Sequence, residues 1–162
     1  MDLRLLYAII LSILPISELR GGLPLAMLYA KDNDIPIILV FLLIVSVNIF
    51  IIFFIFLFLD KFHGAFMNFK IYRKIFEKNL QRVQNKADSF EKKYKNYGFV
   101  ALALFVGVPL PGTGVWTGCL ISWFLGLDRK KSILSIALGA LIAGVLVLLG
   151  TLGFIRFLDF IK

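Results

Sequence analysis

Residues 13–24 read "ILPISELRGGLP". Apolar sequence lies on both sides, so one continuous helix would carry Glu18 and Arg20 inside a hydrophobic segment. Pro15 cannot donate a backbone hydrogen bond and disfavours a helix running through it. Gly21-Gly22 is poor helix and suits a turn. Pro24 suits the first position of a new helix. Residues 5–17 make only about 20 Å of helix, short of a ~30 Å hydrocarbon core. The stretch predicts two half-helices joined by an unwound segment near residues 15–23, the second half-helix beginning near Pro24.

The rest of the chain supplies the setting. It has 162 residues, of which 60% are hydrophobic, with a mean hydropathy of +0.91. Soluble domains average about 45–50% apolar. No charge falls between Ile35 and Leu59, between Gly98 and Leu127, or between Ile133 and Ile155. Uncharged runs beyond roughly 18 residues are candidate membrane spans. The composition predicts an all-α integral membrane protein with one membrane domain over residues 1–162. The net charge of +8 abuts the apolar segments. Lipid headgroups and topology account for it, and nucleic acid is not expected as a partner. Cys119 is the only cysteine, so no internal disulfide can form. The N-terminal apolar stretch runs into Pro-Ile-Ser-Glu rather than a small-x-small cleavage site, so no cleavable signal is expected.

The sequence divides into two blocks of similar pattern. Residues 1–59 hold a broken apolar segment, a short polar turn and a clean span from 36 to 59. Residues 98–162 repeat that order, with the clean span from 133 to 158. A shift of 94 positions lays Pro15 on Pro109 and Asp34 on Asp128. The second broken segment contains "VPLPGTG" at 108–114. Pro109 and Pro111 interrupt a helix there, and Gly112 and Gly114 let the backbone turn around Thr113. Unwound backbone at membrane depth is tolerated only where protein buries it or a watery cavity adjoins it.

Charge orders the topology. Residues 60–97 carry ten Lys/Arg against four acids. By the positive-inside rule this stretch is cytoplasmic. "KDNDI" at 31–35 suits the outside and "DRKK" at 128–131 the inside. Both fit if each broken segment enters halfway and returns, from opposite faces. The expected fold is an inverted repeat: a re-entrant helical hairpin plus one transmembrane helix, twice, with a cytoplasmic amphipathic helix between the halves. That helix is read from a stripe at Tyr72, Phe76, Leu80, Val83, Ala87, Phe90 and Tyr94, spaced three or four apart. It would lie on the inner leaflet, or pair with a second copy as a short coiled coil in a homodimer.

Charged side chains at membrane depth are costly and point to function. Candidate substrate- or ion-binding residues are Glu18, Arg20, Gly21 and Gly22 from the first tip, with Pro109, Pro111, Gly112, Thr113 and Gly114 from the second. Glu18 and Arg20 could equally form a structural ion pair that locks the loop. Trp116 reads as packing and Trp123 as an interfacial anchor. Asn48 suits an interhelical hydrogen bond, and the Gly139/Ala143 and Ala140/Gly144 pairs suit close helix packing. His63 is given no role. No metal spacing, nucleophile–base pair or Walker-type loop is present. A lone glutamate argues against an intramembrane hydrolase, so no enzyme, metal or cofactor is expected.

"PISELRGGLPLA" and "VPLPGTGVWTG" closely resemble the two signature stretches of the small multidrug export proteins, a family of small prokaryotic membrane proteins. The likeness covers nearly the whole chain. A more distant similarity runs to the DedA/VTT superfamily, with its re-entrant hairpins. That resemblance implies movement of lipids, polyprenyl-phosphate carriers among them, and a role for an acidic residue in the first hairpin, which Glu18 matches. It also implies arginines in the second hairpin, and residues 99–127 have none, which leaves Arg20 for that role. The leading expectation is a proton-coupled transporter or flippase in a prokaryotic plasma membrane, acting on a lipid-phosphate or small amphipathic molecule. The alternatives are export of small amphipathic cations, against which Arg20 argues by neutralising Glu18, and a non-transporting membrane scaffold.

Overall fold

A computed structural model describes residues 3–66 and 97–161. Those residues form helices and turns, with no strand among them. The helices are α1 (Leu3–Ile13), α2 (Glu18–Asp32), α3 (Ile37–Phe66), α4 (Tyr97–Gly107), α5 (Val115–Phe124) and α6 (Arg129–Ile161). Two are long and apolar enough to cross a membrane. In α3 the stretch Ile37–Phe62 has 26 residues, and an 18-residue window within it has a mean hydropathy of 3.2. In α6 the stretch Arg129–Phe157 has 29 residues, and such a window has a mean hydropathy of 2.7. α3 therefore runs past residue 59 into the polar region, and the stripe from Tyr72 to Tyr94 lies outside the described residues.

α1 and α2 form an antiparallel hairpin. Arg4 near the start of α1 meets Asp32 at the end of α2, with Nη1 3.1 Å from Oδ2. Between them Gly22 lies where a Cβ would stand 2.5 Å from both the Ala8 carbonyl oxygen and Ser12 Cβ. The glycine lets the two backbones touch, which a side chain would prevent.

The break between α1 and α2 is shorter than its sequence suggests. Only residues 14–17 leave the helix. The expected unwound segment from 15 to 23 and the start near Pro24 are therefore corrected: α2 begins at Glu18 and contains Gly21, Gly22 and Pro24. The reason is local. Pro15 lacks the N–H that would bond Leu11, four residues back. The Ser17 hydroxyl donates to that Leu11 carbonyl at 2.5 Å instead. Glu18 N–H then donates to Leu14 at 2.9 Å and Gly21 N–H to Ser17 at 3.0 Å. Helix-like bonds thus resume at once; Gly21-Gly22 is helical, and Gly22 serves the helix crossing.

α4 and α5 form the second hairpin, with a longer break at 108–114. Leu110-Pro111-Gly112-Thr113 is a turn closed by Thr113 N–H to Leu110 at 3.2 Å. Gly112 has φ +84°, as position three of a type II turn requires. α5 begins at Val115, directly after the break.

Both hairpins leave through the same C-terminal motif. Ile35 N–H reaches back to Ala30 at 2.9 Å and Leu127 N–H to Ser122 at 3.0 Å. The left-handed residue of each motif is Asp34, φ +54°, and Gly126, φ +64°. These are Schellman ends. Asp128 has another role: its Oδ1 accepts from Lys131 N–H at 2.9 Å and caps α6. The two turns are of equal length, residues 33–36 and 125–128, and the motif sets Asp34 against Gly126, so the match of Asp34 with Asp128 is corrected to a shift of 92 rather than 94.

α3 and α6 run antiparallel and serve both hairpins. Val40, Phe41, Ile44 and Val45 of α3 pack with Ala8, Leu19, Leu23 and Met27 of the first hairpin. Ile52, Ile55 and Phe56 pack with Leu102, Val106, Val115 and Cys119 of the second. Gly139 lies against α4, its Cβ position 2.6 Å from the Ala103 carbonyl oxygen. Gly144 lies against Val45 and Phe41 at 3.1 and 3.2 Å. The small-residue face thus does let helices approach closely. Asn48 is 1% exposed. Its amide donates to Ile44 of its own helix at 3.0 Å, not across to another helix as expected.

Candidate functional site

The tips of the two hairpins meet, and the contact between them is a reciprocal exchange of helix caps. A helix leaves amide N–H groups unpaired at its start and carbonyls unpaired at its end. At the start of α5 the Glu18 carboxylate accepts from Trp116 N–H at 3.1 Å. At the end of α1 the Ile13 carbonyl accepts from the Trp116 indole Nε1–H at 2.9 Å. The negative group faces the positive end of a helix, the favourable sense of the helix dipole.

Glu18 is 6% exposed, and its backbone has φ +46°. A left-handed non-glycine residue costs about 1–2 kcal/mol and persists only where surrounding contacts enforce it. Here the enforcing contacts are the bend at 14–17 and the bond to α5. Gly114 completes the fit. A Cβ on Gly114 would overlap the Glu18 carboxylate.

Arg20 lies two residues further and holds the loop rather than the helix. Its Nη1 donates to the Leu110 carbonyl and its Nη2 to Thr113 Oγ1 at 3.0 Å. Thr113 Oγ1 also sits 2.6 Å from the Val108 carbonyl and accepts from Leu110 N–H at 3.3 Å. The hydroxyl gathers the turn into one polar knot, with Arg20 as its clamp. Two residues apart on α2, Glu18 and Arg20 point to different parts of the second hairpin. They tie the hairpins together instead of facing a space between them.

The remaining candidates divide by position. Gly22 is buried in the α1–α2 crossing, and Gly21 lies against Ser17, with 2.8 Å from its Cβ position to Ser17 Cβ. Both belong to packing within the first hairpin. Pro109, Pro111 and Gly112 shape the second turn, Pro111 and Gly112 on its exposed side. Glu18, Arg20, Thr113 and Gly114 are the residues brought together across the junction. Trp116 joins them as a cap, a part its sequence did not reveal. Ser17 also escaped notice, although a hydroxyl two residues after a proline is a readable signal for a carbonyl the proline has orphaned.

A second polar cluster ties the opposite end of the second hairpin to α3. Asp60 accepts from Arg129 at 2.5 Å and from the Trp123 indole at 3.1 Å. The Arg129 guanidinium carbon also lies 5.1 Å from the Phe56 ring centroid, a cation–π distance. The two hairpins thus open toward opposite ends of α3: the first at the turn preceding Ile37, the second at Asp60.

No curated protein and no solved structure matches the chain. The family model described as "Putative small multi-drug export protein" matches residues 18–146, starting at the junction glutamate and reaching well into α6. The match takes in α2, the tip of the second hairpin and most of the chain, and the protein belongs to this membrane-associated export family.

Proposed function

We propose that the protein is a proton-coupled exporter of small amphipathic molecules and that the Glu18–Trp116 junction is its site and its gate. In this reading the hairpins are re-entrant and form an inverted repeat in a prokaryotic plasma membrane. α3 and α6 cross the bilayer, and residues 60–97 are cytoplasmic. The opposed openings of the hairpins at the two ends of α3 and the basic charge of residues 60–97 support that arrangement. The chain works without catalysis, metal or cofactor.

The observation that carries the proposal is the burial of Glu18 as the cap that one hairpin places on the other. A charge-assisted bond is about twice as strong as a neutral one. Protonation of Glu18 removes the charge and loosens its hold on α5. A cationic substrate competes with the Trp116 N–H for the same carboxylate. Proton, substrate and hairpin contact are therefore alternatives at one group, which is the requirement for coupling. Arg20 is engaged with Leu110 and Thr113.

A flippase acting on lipid phosphates is the second reading. It is favoured by Arg20 beside the Thr113 hydroxyl, a donor pair suited to a phosphate oxygen.

Reconstituted vesicles test both readings. Ethidium transport driven by a pH gradient is expected for the wild type and lost in Glu18→Gln, which keeps shape but cannot titrate. Equal, pH-independent transport by both proteins would overturn the coupling role. Dithionite quenching of a fluorescent phospholipid reports flipping in the same vesicles, and flipping without ethidium transport would favour the second reading.

A further inference from the structure

The two helix breaks are exposed, although the proposed arrangement sets them at mid-membrane. In the first break Leu14 is exposed and Ile16 is 92% exposed; in the second, Val108 and Leu110 are exposed. Pro15, Pro111 and Gly112 are exposed beside them. The breaks adjoin. Ile13, at the edge of the first, accepts from Trp116, and Arg20 holds the Leu110 carbonyl of the second.

The backbone of these breaks is not fully paired within the fold. Among the described residues, the Ile16 N–H and carbonyl make no hydrogen bond, and neither do the Gly112 N–H and the Pro111 carbonyl. Irregular backbone at membrane depth is tolerated only where protein buries it or a water-filled cavity adjoins it. Acyl chains offer these groups no partner. Water would meet the apolar side chains of Leu14, Ile16, Val108 and Leu110, where a watery cavity calls for a polar lining. A surface with apolar side chains and with both free donors and free acceptors in its backbone suits a contact with protein, where buried backbone groups find partners.

We infer that this surface is the contact between two copies of the chain, related by a two-fold axis along the membrane normal. This contact rests on the re-entrant arrangement proposed above. Depth and complementarity select the occupant. A copy inserted in the same sense brings its own breaks to the same depth. Its free donors then face the other copy's acceptors, as an isologous contact requires. The same topology keeps residues 60–97 in the cytoplasm, away from the tips. The partner copy covers the loop that Arg20 clamps, so the site is complete only in the pair.

Photo-crosslinking in native membranes tests the contact. p-Benzoylphenylalanine is placed at Ile16, at Leu110 or, as a control, at Phe53, which is exposed on α3. The benzophenone inserts into C–H bonds beside it, so the product identifies the occupant. Irradiation with the probe at Ile16 or Leu110 is expected to join two chains, read from co-expressed copies with different tags. Irradiation with the probe at Phe53 is expected to give lipid adducts. Wild-type protein extracted directly into nanodiscs supplies a readout without any variant, and native mass spectrometry is expected to count two copies. One copy per disc would overturn the contact. So would lipid adducts at both Ile16 and Leu110, a crosslink from them to residues 67–96 of the same chain, or chains joined at Phe53 and at neither tip position. Cysteines at Asp32 and Lys130, with Cys119 replaced by serine, separate this failure from failure of the re-entrant arrangement. Labelling from opposite faces, with no joined chains from Ile16 or Leu110, overturns the contact alone. Labelling from one face overturns the arrangement and the contact together.

Discussion

Gly114→Ala is the most discriminating perturbation of the hairpin junction. Gly114 has φ −94° and ψ −162°, an extended conformation open to alanine, so the backbone offers no objection. The three atoms nearest the added methyl all belong to the Glu18 carboxylate. Glu18 must withdraw and give up its bond to Trp116 N–H. Hydrogen bonds to charged groups contribute about 1.5–3 kcal/mol, and more is lost if the carboxylate stays buried. We expect Gly114→Ala to destabilise the protein by about 2 kcal/mol in reversible detergent–denaturant unfolding. The same change in a Glu18→Ala background no longer meets that carboxylate. There it should be neutral, or stabilising by about 0.4–1 kcal/mol through the unfolded chain. The double-mutant cycle should therefore give a coupling energy of about 2 kcal/mol, within the range for residues in contact. An equal cost of Gly114→Ala with and without Glu18 would refute the steric argument and the junction with it.

Three further outcomes follow from neighbouring contacts. Trp116→Phe keeps most of the ring but leaves the Ile13 carbonyl without its donor, and should cost about 1 kcal/mol in the same unfolding assay. Asp60→Asn keeps an acceptor for the Trp123 indole but removes the ion pair with Arg129. Because both partners are half exposed, the cost should stay below about 1 kcal/mol and shrink in high salt. With Cys119 replaced by serine, a cysteine introduced at Asp32 should label from outside and one at Lys130 only from inside. Labelling of both from one face would sink the inverted arrangement.

Much of the helical layout was legible in the chain. Charge-free runs located α3 and α6, because a bilayer-length apolar stretch has a compositional signature that needs no partner to read. Pro15, and Pro109 with Pro111, located the two breaks, because a missing N–H acts within four residues of itself. The small residues of α6 announced a close contact, since a glycine or alanine face has little other purpose in an apolar helix.

What the chain alone did not determine were matters decided by atoms far apart in sequence. Gly21-Gly22 reads as a turn, yet it is helical. Gly22 lets α2 touch α1 at Ala8 and Ser12, and that crossing exists only once the hairpin has closed. Asn48 reads as a bond between helices, yet its amide donates to its own. Glu18 and Arg20 were visible as charges needing an explanation, but their partners lie 90 to 98 residues away. Residue spacing cannot say whether such charges pair with each other, face water or reach a third element. Only the packing of one hairpin tip on the other decides it: Glu18 becomes the cap of α5, Arg20 the clamp of its loop, and Trp116 the cap of α1.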